Sequence, residues 1–63
     1  MPIANIQMME GRTAEQKDKL IRKVTDAIME SLDAPEANVR VLINEIPKQH
    51  FGIGGKSADK LGR

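Results

Sequence analysis

With 63 residues, the chain has room for one small domain and none for a multidomain enzyme. It carries no Cys and a single His, which excludes disulfide staples, thiolate or multi-histidine metal sites and a Cys nucleophile; its fifteen Leu, Ile, Val and Phe residues lie just above the level at which disorder is expected. Ten Lys or Arg interspersed with nine Asp or Glu give a net charge of +1, which is not the basic footprint of a nucleic-acid reader.

A chain this short buries only about 60% of its unfolded surface, so its own core hardly offsets the ordering entropy. With metals and disulfides excluded, assembly with further copies is the remaining source of stability. No stretch approaches the roughly 18 apolar residues of a membrane span, and the start of the chain lacks a basic segment followed by an apolar one. The sequence therefore predicts a cytoplasmic protein made of one domain, residues 1–63, with Met1 removed.

From Pro2 to Met9 the residues alternate, Pro2, Ala4, Ile6 and Met8 on one face and Ile3, Asn5, Gln7 and Met9 on the other, which is the period of a strand. Glu10-Gly11-Arg12 breaks this pattern. Thr13-Ala14-Glu15-Gln16 then has the form of a capping box, so a helix is predicted to start there. Ala14, Leu20, Ile21, Val24, Ala27, Ile28 and Leu32 make its apolar stripe, and Glu15 with Lys19 and Asp18 with Arg22 stand at the spacing of solvent-side ion pairs. Pro35 stops the helix near Leu32 or Asp33. After a loop from Asp33 to Asn38, the β-branched run Val39 to Ile46 reads as a second strand, with Arg40, Leu42, Asn44 and Ile46 on one face.

Strand, long helix and strand predict an α+β fold: a βαβ protomer with two parallel strands and a right-handed connection. One helix covers only one face of such a sheet, so the other face and the open edges call for further copies of the chain. Beyond Pro47 the glycines around Ile53 predict a turn or short hairpin, followed by a frayed tail through Arg63.

Few residues can carry chemistry. His50 beside Phe51 is most simply an exposed loop residue, Gly52-Ile53-Gly54-Gly55 is a tight turn without the Lys-[Ser/Thr] of a phosphate loop, Glu10 and Glu45 read as surface carboxylates, and Met8 and Met9 read as packing. Pro2 differs. Methionine aminopeptidases remove Met1 before a small residue, which would leave a secondary amine at the start of a strand. An ordinary α-amino group titrates near ~7.7 to 8.0 and is mostly protonated at neutral pH. Apolar burial, or a guanidinium ~6 Å away contributing roughly 2 to 3 kcal/mol at an effective dielectric of ~20, would leave it neutral and basic. Arg12 and Arg40 are the candidate guanidiniums, and two separated Arg residues suit a dicarboxylate through paired hydrogen bonds. The alternative for each is an ion pair with a neighbouring subunit. Phe51, the only aromatic residue, is either a pocket wall or core filling.

Pro-Ile-Ala at 2–4, Glu-Gly-Arg at 10–12, Glu-Gln-Lys at 15–17, Ser-Leu-Asp-Ala-Pro at 31–35, Val-Arg-Val at 39–41 and His-Phe-Gly-Ile-Gly-Gly at 50–55 follow one another so that the chain resembles the 4-oxalocrotonate tautomerase family over essentially its whole length. The resemblance implies a cofactor-free isomerase acting on 2-hydroxymuconate-like dienol dicarboxylates and built as a hexamer, a trimer of dimers. It implies Pro2 as general base, Arg12 on the carboxylate remote from the keto end, and Arg40 of another subunit on the opposite carboxylate and the developing oxyanion. Phe51 would contribute to the apolar wall. Gln7, Met8, Met9, Pro47 and the tail depart from the family pattern and bear on pocket size. Two other functions remain open: hydration or dehalogenation of unsaturated acids on the same fold, and a small β-ribbon DNA-binding dimer, against which stands the absence of any cation from Pro2 to Met9.

Overall fold

In a computed structural model describing residues 1–63, β1 spans Ile3–Met9, α1 spans Ala14–Leu32 and β2 spans Arg40–Ile46, with a short 3-10 turn, Glu36–Asn38, leading into β2. β1 and β2 pair in parallel from Ile3 opposite Arg40 to Met9 opposite Ile46, the βαβ arrangement expected from the sequence. The ladder runs one step further at each end, through Arg40 N–H to the Pro2 carbonyl and Glu10 N–H to the Ile46 carbonyl, both 3.0 Å.

The helix begins where its sequence says it should. Thr13 Oγ1 accepts the Gln16 N–H at 3.1 Å and Gln16 Oε1 accepts the Thr13 N–H at 3.0 Å, which satisfies two amides that the first turn leaves without partners. Gly11, at φ 122, makes the preceding bend in a conformation that an L side chain rarely adopts. At the far end Asp33 is left-handed, φ 53 and ψ 42, which ends the helix ahead of Pro35.

α1 lies over the face carrying Ala4, Ile6, Val41 and Ile43, and Lys17 Nζ crosses from helix to sheet to meet Glu45 Oε1 at 2.8 Å. Leu20, Val24, Ile28 and Met29 are half-buried there and Thr25 is buried, its hydroxyl donating to the Ile21 carbonyl at 2.7 Å. The predicted stripe is wider than what is covered: Ala14, Ile21, Ala27 and Leu32 remain exposed, because two strands offer the helix a narrow floor. The two expected ion pairs do not form. Arg22 turns instead to Asp26 at 2.6 Å and Glu36 at 3.0 Å, tying the helix to the 3-10 turn, and those hydrogen bonds, Asp26 first, hold its guanidinium above its ordinary pKa. No helix is long and apolar enough to cross a membrane.

After β2 a second 3-10 turn, Lys48–His50, leads to an antiparallel hairpin of β3, Gly52–Ile53, and β4, Lys56–Ser57. Gly54 and Gly55 form its two-residue turn with φ 60 and 89, the pair of positive values that glycine supplies most readily. The tail is not frayed as the sequence suggested. Ala58, the one fully inaccessible residue, donates its N–H to the Phe51 carbonyl at 2.7 Å and accepts the Arg63 N–H at 2.9 Å, folding the last residues back against the 3-10 turn.

The protomer is flat and open. Its Cα radius of gyration is 14.7 Å and its extents 43 × 23 × 14 Å, whereas a compact chain of this length would have a radius near ~11 Å. Only Ala58 and Thr25 are buried, and Ile3 and Leu42 are 65% and 51% exposed on the sheet face away from α1. A single copy therefore leaves its second sheet face uncovered.

Candidate active site

The two parallel strands carry the candidate residues to opposite ends of the sheet. Pro2, half-buried, precedes β1 and is joined through its carbonyl to the N–H of Arg40, which opens β2. The Arg40 guanidinium lies on the face away from α1, where Nη1 donates to the Ala37 carbonyl at 2.7 Å and the Val39 carbonyl at 3.4 Å. These are neutral acceptors, and no carboxylate lies within 4.0 Å of it. Met1 precedes Pro2 and is 76% exposed; the Pro2 nitrogen is an amide while Met1 is attached.

The opposite end holds Arg12 and Phe51 together on an open cavity of about 500 Å³. The end of β1, Gln7, Met8 and Met9, lines it together with Glu10, Gly11, Lys48 and Arg63. Local structure explains the grouping. The bend at Gly11 brings Arg12 off the strand, and Pro47 turns the chain from β2 into the 3-10 turn, where residues three apart eclipse, so that Lys48 and Phe51 come to one side. The Phe51 N–H donates to the Lys48 carbonyl at 3.4 Å, and Glu10 Oε1 accepts the Lys48 N–H at 3.3 Å. Arg12 has no carboxylate within 4.0 Å.

Met8 and Met9 line this cavity, against their reading as packing alone, and Glu10 belongs to it while Glu45 is taken by Lys17. His50 is exposed and outside the cavity, as expected, and the Gly52 to Gly55 stretch is the hairpin turn. Sequence reasoning missed Lys48 and Arg63. Pro47, directly after the second strand and five residues before Gly52, was the available signal for a turn at Lys48; for Arg63 there was none, since its position depends on the folded tail.

Chemically, one end offers a proline nitrogen, once freed, and a guanidinium free of carboxylates, and the other a cationic, partly apolar cup. The seven residues of β1 separate them by about 20 Å, far more than the length of a small diacid. Within one protomer the four residues do not form one site.

A family model described as tautomerase enzyme matches residues 2–60. The chain is 62% identical over 63 residues, 100% of both proteins, to a 2-hydroxymuconate tautomerase of Stutzerimonas stutzeri. It is 56% identical over the same 63 residues, again 100% of both, to one of Comamonas testosteroni. Among solved structures, a 4-oxalocrotonate tautomerase isozyme of Methylibium petroleiphilum superposes with a TM-score of 0.92 at 56% identity, over 98% of this chain and 100% of that one. A heterohexamer 4-oxalocrotonate tautomerase of Chloroflexus aurantiacus J-10-fl does so at 0.89 and 41% identity, over 97% of this chain and 98% of that one.

Proposed function

The chain belongs to the tautomerase family, and from that premise we propose that it isomerises 2-hydroxymuconate or a like dienol dicarboxylate, with Pro2 as the base once Met1 has been removed. Its action as a tautomerase, an isomerase, follows from the family and the full-length relatives. The substrate, the residue roles and the assembly are the proposal.

The observation that carries it is that two guanidiniums free of carboxylates stand at opposite ends of the β1–β2 sheet, that of Arg40 at the end where Pro2 enters β1 and that of Arg12 on the cavity it shares with Phe51, each open to a neighbouring copy. An antiparallel neighbour related by a two-fold axis brings the Pro2 end of one copy against the Arg12 end of the other, and the uncovered sheet face and open strand edges supply the surfaces for it. The complete assembly is a hexamer, a trimer of dimers, with Arg40 reaching the site from a further copy.

In such a site the Pro2 amine takes the proton from the 2-hydroxyl of the dienol. The oxygen's electron pair forms the C2 carbonyl, the two double bonds become one between C3 and C4, and the same proton is returned at C5, giving 2-oxo-3-hexenedioate. Arg40 binds the carboxylate at the keto end and holds the charge developing on the 2-oxo oxygen, while Arg12 binds the remote carboxylate and draws electron density toward C5. The rate is lost as the pH falls through the pKa of the Pro2 amine, because the base must be unprotonated.

The test is Pro2→Ala, assayed by loss of dienol absorbance, with intact mass confirming that Met1 is absent from both proteins. A primary amine in place of the secondary one should lower kcat well below the parent while the fold persists. Equal rates would remove Pro2 as the base.

A further inference from the structure

Of the six lysines, four are exposed and two, Lys17 and Lys48, are half-buried. A half-buried lysine packs its stem and keeps its ammonium at the water boundary, where it meets an anion of the protein or of a ligand. Lys17 has Glu45 at 2.8 Å. Lys48 has no carboxylate within 4.0 Å, yet it is held on the wall of the cavity it shares with Arg12 and Phe51. The one acidic side chain on that wall, Glu10, accepts the Lys48 backbone N–H at 3.3 Å and leaves its ammonium unpaired. Its backbone is fixed from both sides, since the Lys48 carbonyl also accepts the N–H groups of Phe51 and Asp59, each at 3.4 Å.

We propose that Lys48 is a second substrate-binding cation, placed beside Arg12 to receive the carboxylate of the substrate remote from Pro2, and that it sets the preference of the enzyme for a dianion over a monoanion. The inference rests on the function proposed above and adds a determinant to it. Arg12 supplies a planar pair of donors and fixes the orientation of the carboxylate; Lys48 supplies a compact charge that meets the oxygen left over. Because the cavity is open to water, Lys48 acts on the binding of the diacid more than on the proton transfer itself.

The experiment compares 2-hydroxymuconate with 2-hydroxy-2,4-pentadienoate, the same dienol without the remote carboxylate, on the processed enzyme and on Lys48→Met and Lys48→Arg, with Pro2→Ala and Arg12→Ala alongside and the assembly state of each checked by native mass spectrometry. Met keeps the apolar stem and removes the charge. For Lys48→Met the ratio of kcat/KM between diacid and monoacid should fall about tenfold, carried mainly by KM for the diacid, and Lys48→Arg should restore most of it. An unchanged ratio, with Pro2→Ala and Arg12→Ala still impaired, overturns the role of Lys48 and leaves the proposed function standing. Equal loss on both substrates, or dissociation of the assembly, overturns it as well, since Lys48 would then be pairing with a carboxylate of a neighbouring copy. If Pro2→Ala and Arg12→Ala also match the parent, the proposed function falls and this inference with it.

Discussion

The two ends of the β1–β2 sheet are built differently. The Pro2 end is bare: one half-buried proline, one arginine tied to loop carbonyls, and no wall around them. The Arg12 end is built up by Lys48, Phe51 and a tail folded back through Ala58 to Arg63, which line one side of an open cavity of about 500 Å³. The difference teaches a division of labour. In the proposed mechanism the bare end supplies a reactive group without a pocket and the other end a pocket without a base, so the mechanism requires copies to be brought together.

The largest effect should come from blocking the bare end. Enzyme retaining Met1, separated from processed enzyme and identified by intact mass, should lose about 10²- to 10⁴-fold in kcat/KM, the usual worth of a general base, with no loss of assembly. Comparable activity in the two forms would break the division at its root. Arg40→Ala comes next: removal of the donor proposed to face the developing oxyanion should lower kcat about 10²-fold with a smaller change in KM. Arg12→Ala acts at the other end and should mainly raise KM for the diacid, about tenfold, while also slowing the reaction. If Arg40→Ala raised KM alone and Arg12→Ala lowered kcat alone, the two ends would have exchanged roles.

The sequence reveals the bare end better than the built-up one, for a physical reason. β1, α1 and β2 are set by local periodicity and by a capping box whose partners are three residues apart, and these were legible before any contact was known. Pro2, Arg12, Arg40 and Phe51 came as candidates from the residue pattern and the family resemblance together. The tail and the place of Lys48 depend on hydrogen bonds from Asp59 to Lys48 and from Ala58 to Phe51, between residues whose own periodicity says nothing. Arg22 was assigned to Asp18 by spacing and instead chose Asp26 and Glu36, because the chain returning from α1 brings Glu36 within reach. The helix stripe was overestimated at Ala14, Ala27 and Leu32 because residue spacing reports which side of a helix is apolar, not how wide a surface lies beneath it.

A smaller effect follows from the hairpin that begins directly after Phe51. Gly55 adopts φ 89, which a β-branched residue tolerates poorly, so Gly55→Val should cost roughly 1 to 3 kcal/mol locally. If the hairpin supports the Phe51 wall, KM should rise about two- to threefold with kcat largely kept, and Tm should fall at equal protomer concentration. A loss confined to kcat would place the influence of the hairpin at the bare end instead.

The smallest expected effects come from the two ends of α1, which cap the two ends of the sheet. Thr13→Ala removes the capping box beside Arg12 and should cost about 1 kcal/mol. Asp33→Gly, beyond the helix end that leads toward Arg40, replaces a left-handed aspartate with the residue that suits φ 53 and should gain about 0.5 kcal/mol. Thermal unfolding at one protomer concentration should therefore shift in opposite directions. Kinetics separate the ends further: fraying the first turn loosens the Arg12 backbone and should raise KM for the diacid slightly, whereas a firmer C-cap touches no substrate contact and should leave KM where it was. A KM shift in Asp33→Gly rather than in Thr13→Ala would mean that the grip on the remote carboxylate is set from the Pro2 end, since only there does that substitution change the backbone.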